Sequence, residues 1–249
     1  MRLLLRQVRA EQRVFWRNRE SSIFTFVLPL LLLAFLGLVG NGRTVAGGSY
    51  ASFVVPGMLG LATVLTTFAG LSITLVVRRE RGILKRVRGT PLPPATYMAG
   101  LVGSLVVVLV AETAIVLVVG AAFLDVPVPS NGWEVVLLVA FGAAAFSTLG
   151  IALTPLLPTA EGSSALVNAV YLPMLMLSGA FFPVSRLPGF LRWASEALPL
   201  THLLDAMRAV FRSGGVDRGD LVGLLVPVVW AVAAALFAAR RFRWEPRVG

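Results

Sequence analysis

Six apolar runs, each long enough to cross a lipid bilayer, constrain this chain more than any other feature of its sequence. Because the hydrocarbon core of a bilayer is about 30 Å thick, a spanning helix needs roughly 20 mostly apolar residues. Apolar residues make up 57% of the chain and charged residues only 14%, which excludes an ordinary soluble domain. The sequence predicts an all-α membrane protein with six transmembrane helices at residues 23–39, 51–77, 95–124, 133–157, 163–182 and 220–239.

The inventory of reactive residues excludes several classes of function. The chain has no cysteine and a single histidine, His202, so the usual metal-ligand spacings and catalytic pairings cannot be assembled. It has no Gly-x-x-x-x-Gly-Lys-Ser/Thr motif and therefore no P-loop of its own. A net charge of +10 would suggest nucleic acid as the partner of a soluble protein. Here the charges flank apolar runs, so we expect membrane lipids and no nucleic acid.

The first 20 residues predict an amphipathic helix that lies in the plane of the membrane interface. Its arginines recur at helical spacings of three and four and share one face: Arg2, Arg6, Arg9, Arg13 and Arg17. Apolar residues, including Phe15 and Trp16, fall on the adjoining face. Such a helix turns its guanidinium groups toward anionic headgroups and places its aromatic rings in the interface. A solvated basic tail is the alternative, but a tail lacks this segregation.

The run RRERGILKRVRGTPLPP at residues 78–94 is the most densely charged segment between two spans. Within it, Ile83, Leu84 and Val87 have the i, i+1, i+4 spacing that places three side chains on one face of a short helix. Gly89 and Pro91 are suited to end that helix. A basic, amphipathic helix flanked by membrane spans is a candidate docking element for a soluble partner.

Polar residues within the second and fifth spans leave two interpretations open. They recur at helical spacings on otherwise apolar helices: Thr63, Thr67, Gly70 and Thr74 in one, and Asn168, Tyr171 and Ser178 in the other. Small residues and hydroxyls commonly serve close helix packing in membranes. The same side chains can instead line a transport pathway, and a weakly polar lining suits an amphipathic substrate better than an ion or a sugar chain.

Glu112 lies near the middle of the third span. A charged residue at that depth costs roughly 3 kcal/mol or more on insertion scales, so it is expected to face inward and to have a partner. It can be a protonated or hydrogen-bonded structural group. It can also carry a proton, in which case the chain would be a proton-coupled secondary transporter.

The positions of the charges predict the orientation of the chain. Six arginines in the first 20 residues, six basic residues in the 78–94 run and four arginines after residue 239 lie on one side. The positive-inside rule therefore places both termini and the 78–94 run in the cytoplasm. Residues 183–219 fall outside and are too long for a structureless connection. They predict two short amphipathic helices, separated at Pro199, that lie on the membrane face or dip into it.

The sequence resembles the type-two ABC transporter permeases of the daunorubicin-resistance-like exporter branch over essentially its whole length. Four segments carry the resemblance: NRESSIFTFVLPLLLL, RRERGILKRVRGTPLPPATYMAG, LLPTAEGSSALVNAVYLPMLMLSGAFFPVSRLP and LPLTHLLDAMR. The second of these is the most specific. Many relatives have threonine where this chain has Ile83, which bears on the identity of the partner.

This resemblance implies a single permease domain over residues 1–249 that exports a drug-like or lipid-like substrate across the cytoplasmic membrane. Residues 1–20 would be its elbow helix and the external helices its outer gate. Two permease subunits, alike or different, would assemble with two ABC ATPase subunits that bind ATP and Mg²⁺, and this chain would hold no cofactor.

The resemblance also implies roles for particular residues. The ATPase would contact a coupling helix and a second, smaller segment: Arg81, Gly82, Ile83, Leu84, Lys85, Arg86 and Val87, and Pro158, Thr159 and Glu161. Thr159 can also cap the helix that follows it. The second and fifth spans would face each other near the subunit interface and line the export route through Thr63, Thr67, Thr74, Asn168, Tyr171 and Ser178.

Overall fold

A computed structural model describes residues 2–40, 44–45, 48–242 and 244–245 as a helical bundle. Its α-helices are α1 (Arg2–Arg17), α2 (Arg19–Val39), α3 (Tyr50–Thr63), α4 (Leu71–Glu80), α5 (Ile83–Arg88), α6 (Pro94–Leu124), α7 (Gly132–Leu153), α8 (Ala160–Leu177), α9 (Gly189–Glu196), α10 (Pro199–Ser213), α11 (Arg218–Gly223) and α12 (Leu225–Arg241). A two-stranded hairpin, β1 (Thr44–Val45) and β2 (Gly48–Ser49), precedes α3. Short 3₁₀ turns occur at Thr154–Leu156 and Val184–Arg186. Arg243 and Arg247, two of the four arginines after residue 239 that were used to predict the orientation, lie outside the described residues.

Five helical segments in the described part of the chain are long and apolar enough to cross a membrane: Ser22–Val39, Tyr50–Glu80, Pro94–Leu124, Gly132–Leu156 and Arg218–Arg241. They correspond to five of the six predicted spans. The remaining one, α8, has 18 residues but carries Glu161, two serines and Asn168 in its first half, which lowers its mean hydropathy. The structure is therefore that of an all-α membrane protein, and the fifth predicted span, at α8, stays a prediction.

The second span, Tyr50–Glu80, is the most buried of these five segments and forms the centre of the bundle. Its middle, Val64–Gly70, is π-helical. The Ser72 hydroxyl lies 2.6 Å from the carbonyl oxygen of Phe68, within this stretch, and 3.0 Å from that of Gly150 on α7. Because Gly150 has no side chain, α7 can approach the π-helical carbonyl groups closely.

The two helices predicted on either side of Pro199 are present as α9 and α10, and α10 is more deeply buried in the bundle than α9. On α9, Phe190 and Trp193 are exposed, so this helix presents an apolar face to its surroundings. Helix α10 is instead inserted into the bundle, and its buried residues join the main core: Leu200, Leu203, Leu204, Met207 and Val210. Gly214, with φ of 76°, ends α10 in the left-handed conformation that glycine readily adopts.

A close contact between the second span and the turn that follows α8 generates a stability prediction. A methyl group at Gly57 would collide with the backbone oxygen of Ala180, whereas one at Gly132 would meet nothing within 4 Å. We therefore expect Gly57→Ala to lower the free energy of unfolding by about 1–3 kcal/mol, as overpacking does. Gly132→Ala is the matched control. Thermal midpoints from gel filtration of the solubilised protein would test this, and equal midpoints for the two variants would contradict the predicted contact.

Candidate functional site

The charged 78–94 run forms the end of the second span, a turn and the short helix α5. The span continues through Glu80, and Gly82, with φ of 66°, reverses the chain before α5 begins at Ile83. A residue with a side chain rarely adopts this left-handed conformation. Helix α5 ends at Arg88, one residue beyond the predicted coupling segment at 81–87.

Leu84 anchors α5 to the bundle. Its side chain is 0% exposed and lies in a cluster with Leu71, Leu75, Tyr97 and Leu101, against which Val87 also packs. The apolar face of α5 thus turns back onto the ends of the neighbouring spans, and direct contact between Leu84 and a partner stays a prediction. Of the three apolar residues, Ile83 is the most exposed, at 37%.

The outer surface of α5 is basic. Its exposed side chains and that of the preceding turn form what we call the basic surface: Arg81, Ile83, Lys85, Arg86 and Arg88. A single aliphatic residue is thus surrounded by four cations. A surface of this kind complements an acidic region on a partner protein.

A largely buried ion pair ties α1 to both ends of the loop that carries α5. The Arg78 guanidinium donates to the two carboxylate oxygens of Glu11 at 2.9 and 2.7 Å, and to the hydroxyl of Tyr97 at 2.7 Å. Gln7 donates to the same carboxylate at 2.9 Å. Sequence reasoning missed this cluster. The available signal was Glu11 itself, the one carboxylate in a helix otherwise rich in arginine.

Arg79 and Glu80 connect the same loop to the second predicted contact segment. The buried Arg79 guanidinium donates to the carbonyl oxygens of Thr154 at 2.9 Å and Leu157 at 2.6 Å. The Glu80 carboxylate accepts a hydrogen bond of 2.7 Å from the backbone N–H of Ala160. The structure therefore joins the segment containing Pro158, Thr159 and Glu161, all exposed, to the end of the second span.

Thr159 caps α8 as predicted. Its side chain accepts a hydrogen bond from the backbone N–H of Gly162 at 3.2 Å. Glu161 follows in the first turn, where the helix dipole favours an anion.

Two aromatic residues after α12 complete the cluster around Leu84. Phe242 and Trp244 pack against it, with their ring centroids 5.3 Å apart, and Trp244 lies 6.4 Å from Tyr97. The sequence showed these aromatics among the final arginines but gave no sign of what they contact. Phe242 and Trp244 thus pack against the cluster that holds α5.

The predicted pathway residues separate into two groups. Thr63, Thr67 and Ser178 are buried, and their hydroxyl groups donate to backbone carbonyl oxygens three or four residues earlier. These contacts favour the packing interpretation for the three residues. Asn168 is exposed, while Thr74 and Tyr171 are partly exposed.

Glu112 faces inward, as predicted, and is 1% exposed. Neither of its carboxyl oxygens has a hydrogen-bond partner among the described residues, so the structure does not supply the partner that we expected. No cluster of His, Asp and Glu in the described part of the chain is arranged to hold a metal ion.

The bundle and its basic loop define a multi-pass membrane protein of the permease class, and comparison with known proteins identifies the family. Residues 3–211 match the ABC-2 type transporter family. The chain is 32% identical over 220 residues to nodulation protein J of Bradyrhizobium diazoefficiens, covering 84% of this chain and 80% of that protein. It is 24% identical over 233 residues to the inner membrane transport permease YadH of Escherichia coli K12, covering 92% and 88%.

A third relative is much longer than this chain. Identity to ABC transporter G family member 20 of Dictyostelium discoideum is 28% over 186 residues, which cover 74% of this chain but 25% of that protein. The chain belongs to the ABC-2 type transporter family, whose members are transmembrane subunits of ABC transporters and work with ABC ATPase subunits.

The burial of Leu84 predicts different consequences for two neighbouring substitutions. Leu84→Ala removes a fully buried side chain and should lower the free energy of unfolding by about 2–5 kcal/mol. Ile83→Ala, the matched control on the exposed face of α5, should change it by less than about 0.5 kcal/mol. Denaturation of both variants in the same detergent would measure the difference. A larger effect of Ile83→Ala would show that α5 presents its other face to the bundle.

Proposed function

We propose that this chain is the transmembrane subunit of an ATP-driven exporter of the daunorubicin-resistance-like branch. Two such subunits, alike or different, pair with two ABC ATPase subunits that bind ATP and Mg²⁺. Each permease subunit crosses the cytoplasmic membrane six times, with α8 as the fifth span and both termini in the cytoplasm. Helix α1 lies in the membrane interface as the elbow helix.

The observation that carries this proposal is the attachment of the 78–94 run, which contains α5, to the ends of several other helices. Leu84 fixes α5 to the cluster between the second span and α6. Arg78 joins the same loop to α1, and Arg79 and Glu80 join it to the end of α7 and the start of α8. A displacement of α5 by a partner is therefore transmitted to the ends of several spans at once, as a rigid-body transition requires.

The ATPase contacts the basic surface together with the exposed segment at Pro158, Thr159 and Glu161. On this proposal, recognition depends on Ile83 and its surrounding cations, while Leu84 and Val87 transmit the movement from inside the permease. Gly82 provides the turn that directs α5 toward the ATPase.

The substrate proposed is hydrophobic or amphipathic, such as a drug-like or lipid-like molecule. Of the predicted pathway residues, Thr74, Asn168 and Tyr171 retain exposure, so they are the proposed contacts with substrate at the interface of two permease subunits. Thr63, Thr67 and Ser178 shape this route by packing. The exposed apolar residues of α8, including Leu166, Val170 and Leu172, are suited to pack against the second subunit.

Ile83→Asp combined with Lys85→Glu and Arg86→Glu tests the docking proposal. These changes invert the charge of the basic surface while keeping Leu84 in place, so the permease should insert and fold but lose its ATPase during co-purification. The matched control is Arg218→Glu, a charge inversion at the opposite end of the bundle. If the triple variant retains the ATPase as well as the control does, the assignment of the docking surface is wrong.

Glu112→Gln separates ATP-driven export from proton-coupled transport. The amide has nearly the same shape as the carboxyl group but cannot release a proton, so ATP-dependent transport into vesicles should continue unchanged. A proton-coupled transporter would instead lose its response to an imposed proton gradient. Measurement of transport with ATP alone and with a gradient alone would distinguish the two results.

A further inference from the structure

An open cavity of about 400 Å³ lies at the end of the bundle opposite α5. The start of α3, the Val184–Arg186 turn, α9 and α10 surround it. Phe53, Val184 and Phe211 contribute apolar surface, and three arginines also line the cavity: Arg192, Arg208 and Arg212. The volume falls in the range of small-molecule sites, which typically combine an apolar wall with a few polar groups.

Arg208 places a buried positive charge at this cavity. Its side chain is held beneath the surface by a hydrogen bond to the carbonyl oxygen of Gly179 and by stacking 4.0 Å above the ring of Phe53. The residue is 9% exposed, and its Nε has no hydrogen-bond partner among the described residues. Burial lowers the pKa of Arg208 to about 10, so the group remains charged at neutral pH.

The charges that surround Arg208 do not neutralise the cavity. Asp205 approaches one guanidinium nitrogen only to 3.5 Å, near the limit of a useful hydrogen bond. At the rim, Arg192 donates to the carbonyl oxygen of Ser185 at 2.8 Å. Neither Arg192 nor Arg212 has an ion pair within 4 Å among the described residues. The lining contains three arginines and two carboxylates, Asp205 and Glu196, so positive charges outnumber negative charges.

We propose that this cavity binds the anionic headgroup of an amphipathic molecule. The phosphate or carboxylate is bound by Arg192 and Arg212 above the buried charge of Arg208, because guanidinium groups bind such anions with paired hydrogen bonds. The adjoining hydrocarbon lies against Phe53, Val184 and Phe211. The inference rests on the proposed function, in which this end of the bundle faces outward and the bound molecule is an exported substrate or an anionic lipid of the outer surface.

Direct binding to the purified permease in zwitterionic nanodiscs tests this site without the ATPase. Radiolabelled lysophosphatidic acid is the probe, and lysophosphatidylcholine with the same acyl chain is the neutral comparison. We expect the anionic lipid to bind about tenfold more tightly, the equivalent of one charge-assisted hydrogen bond. Equal affinities would overturn the selectivity for an anion.

Inorganic phosphate, used as a competitor, distinguishes a lipid headgroup from a free anion. Weak competition by phosphate would support a site that requires both the anionic group and the acyl chain for tight binding. Displacement of the lipid at equal concentrations would overturn the amphipathic part of the proposal. Competition by oleate would show that the same site accepts a carboxylate, and its absence would restrict the site to phosphate.

Substitutions of exposed residues at the rim of the cavity test the site without disturbing the fold. Arg192→Gln with Arg212→Gln should weaken binding of the anionic lipid about tenfold and leave the neutral lipid unaffected. Ser185→Trp, at an exposed lining position, should block both. Arg218→Gln is the control, since this exposed arginine lies near α10 but outside the lining. Unchanged affinity in the double rim variant, with a normal gel-filtration profile, would overturn the site.

The result is separable from that of the docking experiment. If the permease does not bind lysophosphatidic acid but still co-purifies with the ATPase, only the proposal for the cavity is wrong. Loss of the docking assignment, conversely, would leave lipid binding intact and would remove its interpretation as a step in export.

Discussion

Two adjacent arginines, the partly buried Arg78 and the buried Arg79, hold the loop end of this bundle together. Consecutive residues on a helix point about 100° apart, and Arg78 and Arg79 use that divergence to reach different neighbours of the second span. Arg78 binds a carboxylate on α1, and Arg79 binds carbonyl oxygens at the end of α7. Since a buried guanidinium is costly unless its hydrogen bonds are made, these contacts strongly favour one arrangement of the surrounding helices.

In this arrangement the two faces of α5 have different surroundings. Leu84, on the inner face, belongs to the permease core, while the outer face presents cations that a partner can recognise. In the proposed transporter, recognition and transmission of movement therefore depend on different residues of the same short helix. Substitutions on the outer face, Ile83 included, would then change the choice of partner without disturbing the fold.

The length and periodicity of the apolar runs were sufficient to predict most helices, because a bilayer imposes a minimum length and a helix imposes a fixed spacing. Local chemistry was equally predictable, as the Thr159 cap and the Gly214 terminus show. The surroundings of Leu84 could not be predicted in the same way. Amphipathicity identifies the apolar face of α5 but does not say whether the permease itself or a partner covers that face. Nor could Glu11 be paired with Arg78, since that contact joins helices 67 positions apart. The roles of Thr63 and Thr67 were also ambiguous from the sequence, because each hydroxyl group donates to a carbonyl oxygen of the same span.

The π-helical stretch at Val64–Gly70 has a consequence for how the two ends of the second span are related. A π turn accommodates more residues than an α turn, so the angular position of α4 relative to α3 depends on how much of this stretch stays π-helical. Conversion of part of this stretch to the α-helical pattern would therefore turn α4 relative to α3 around the axis of the span. The arginine-lined cavity and α5 lie at opposite ends of this span, so the helical form of its middle determines how the two ends are rotated relative to each other.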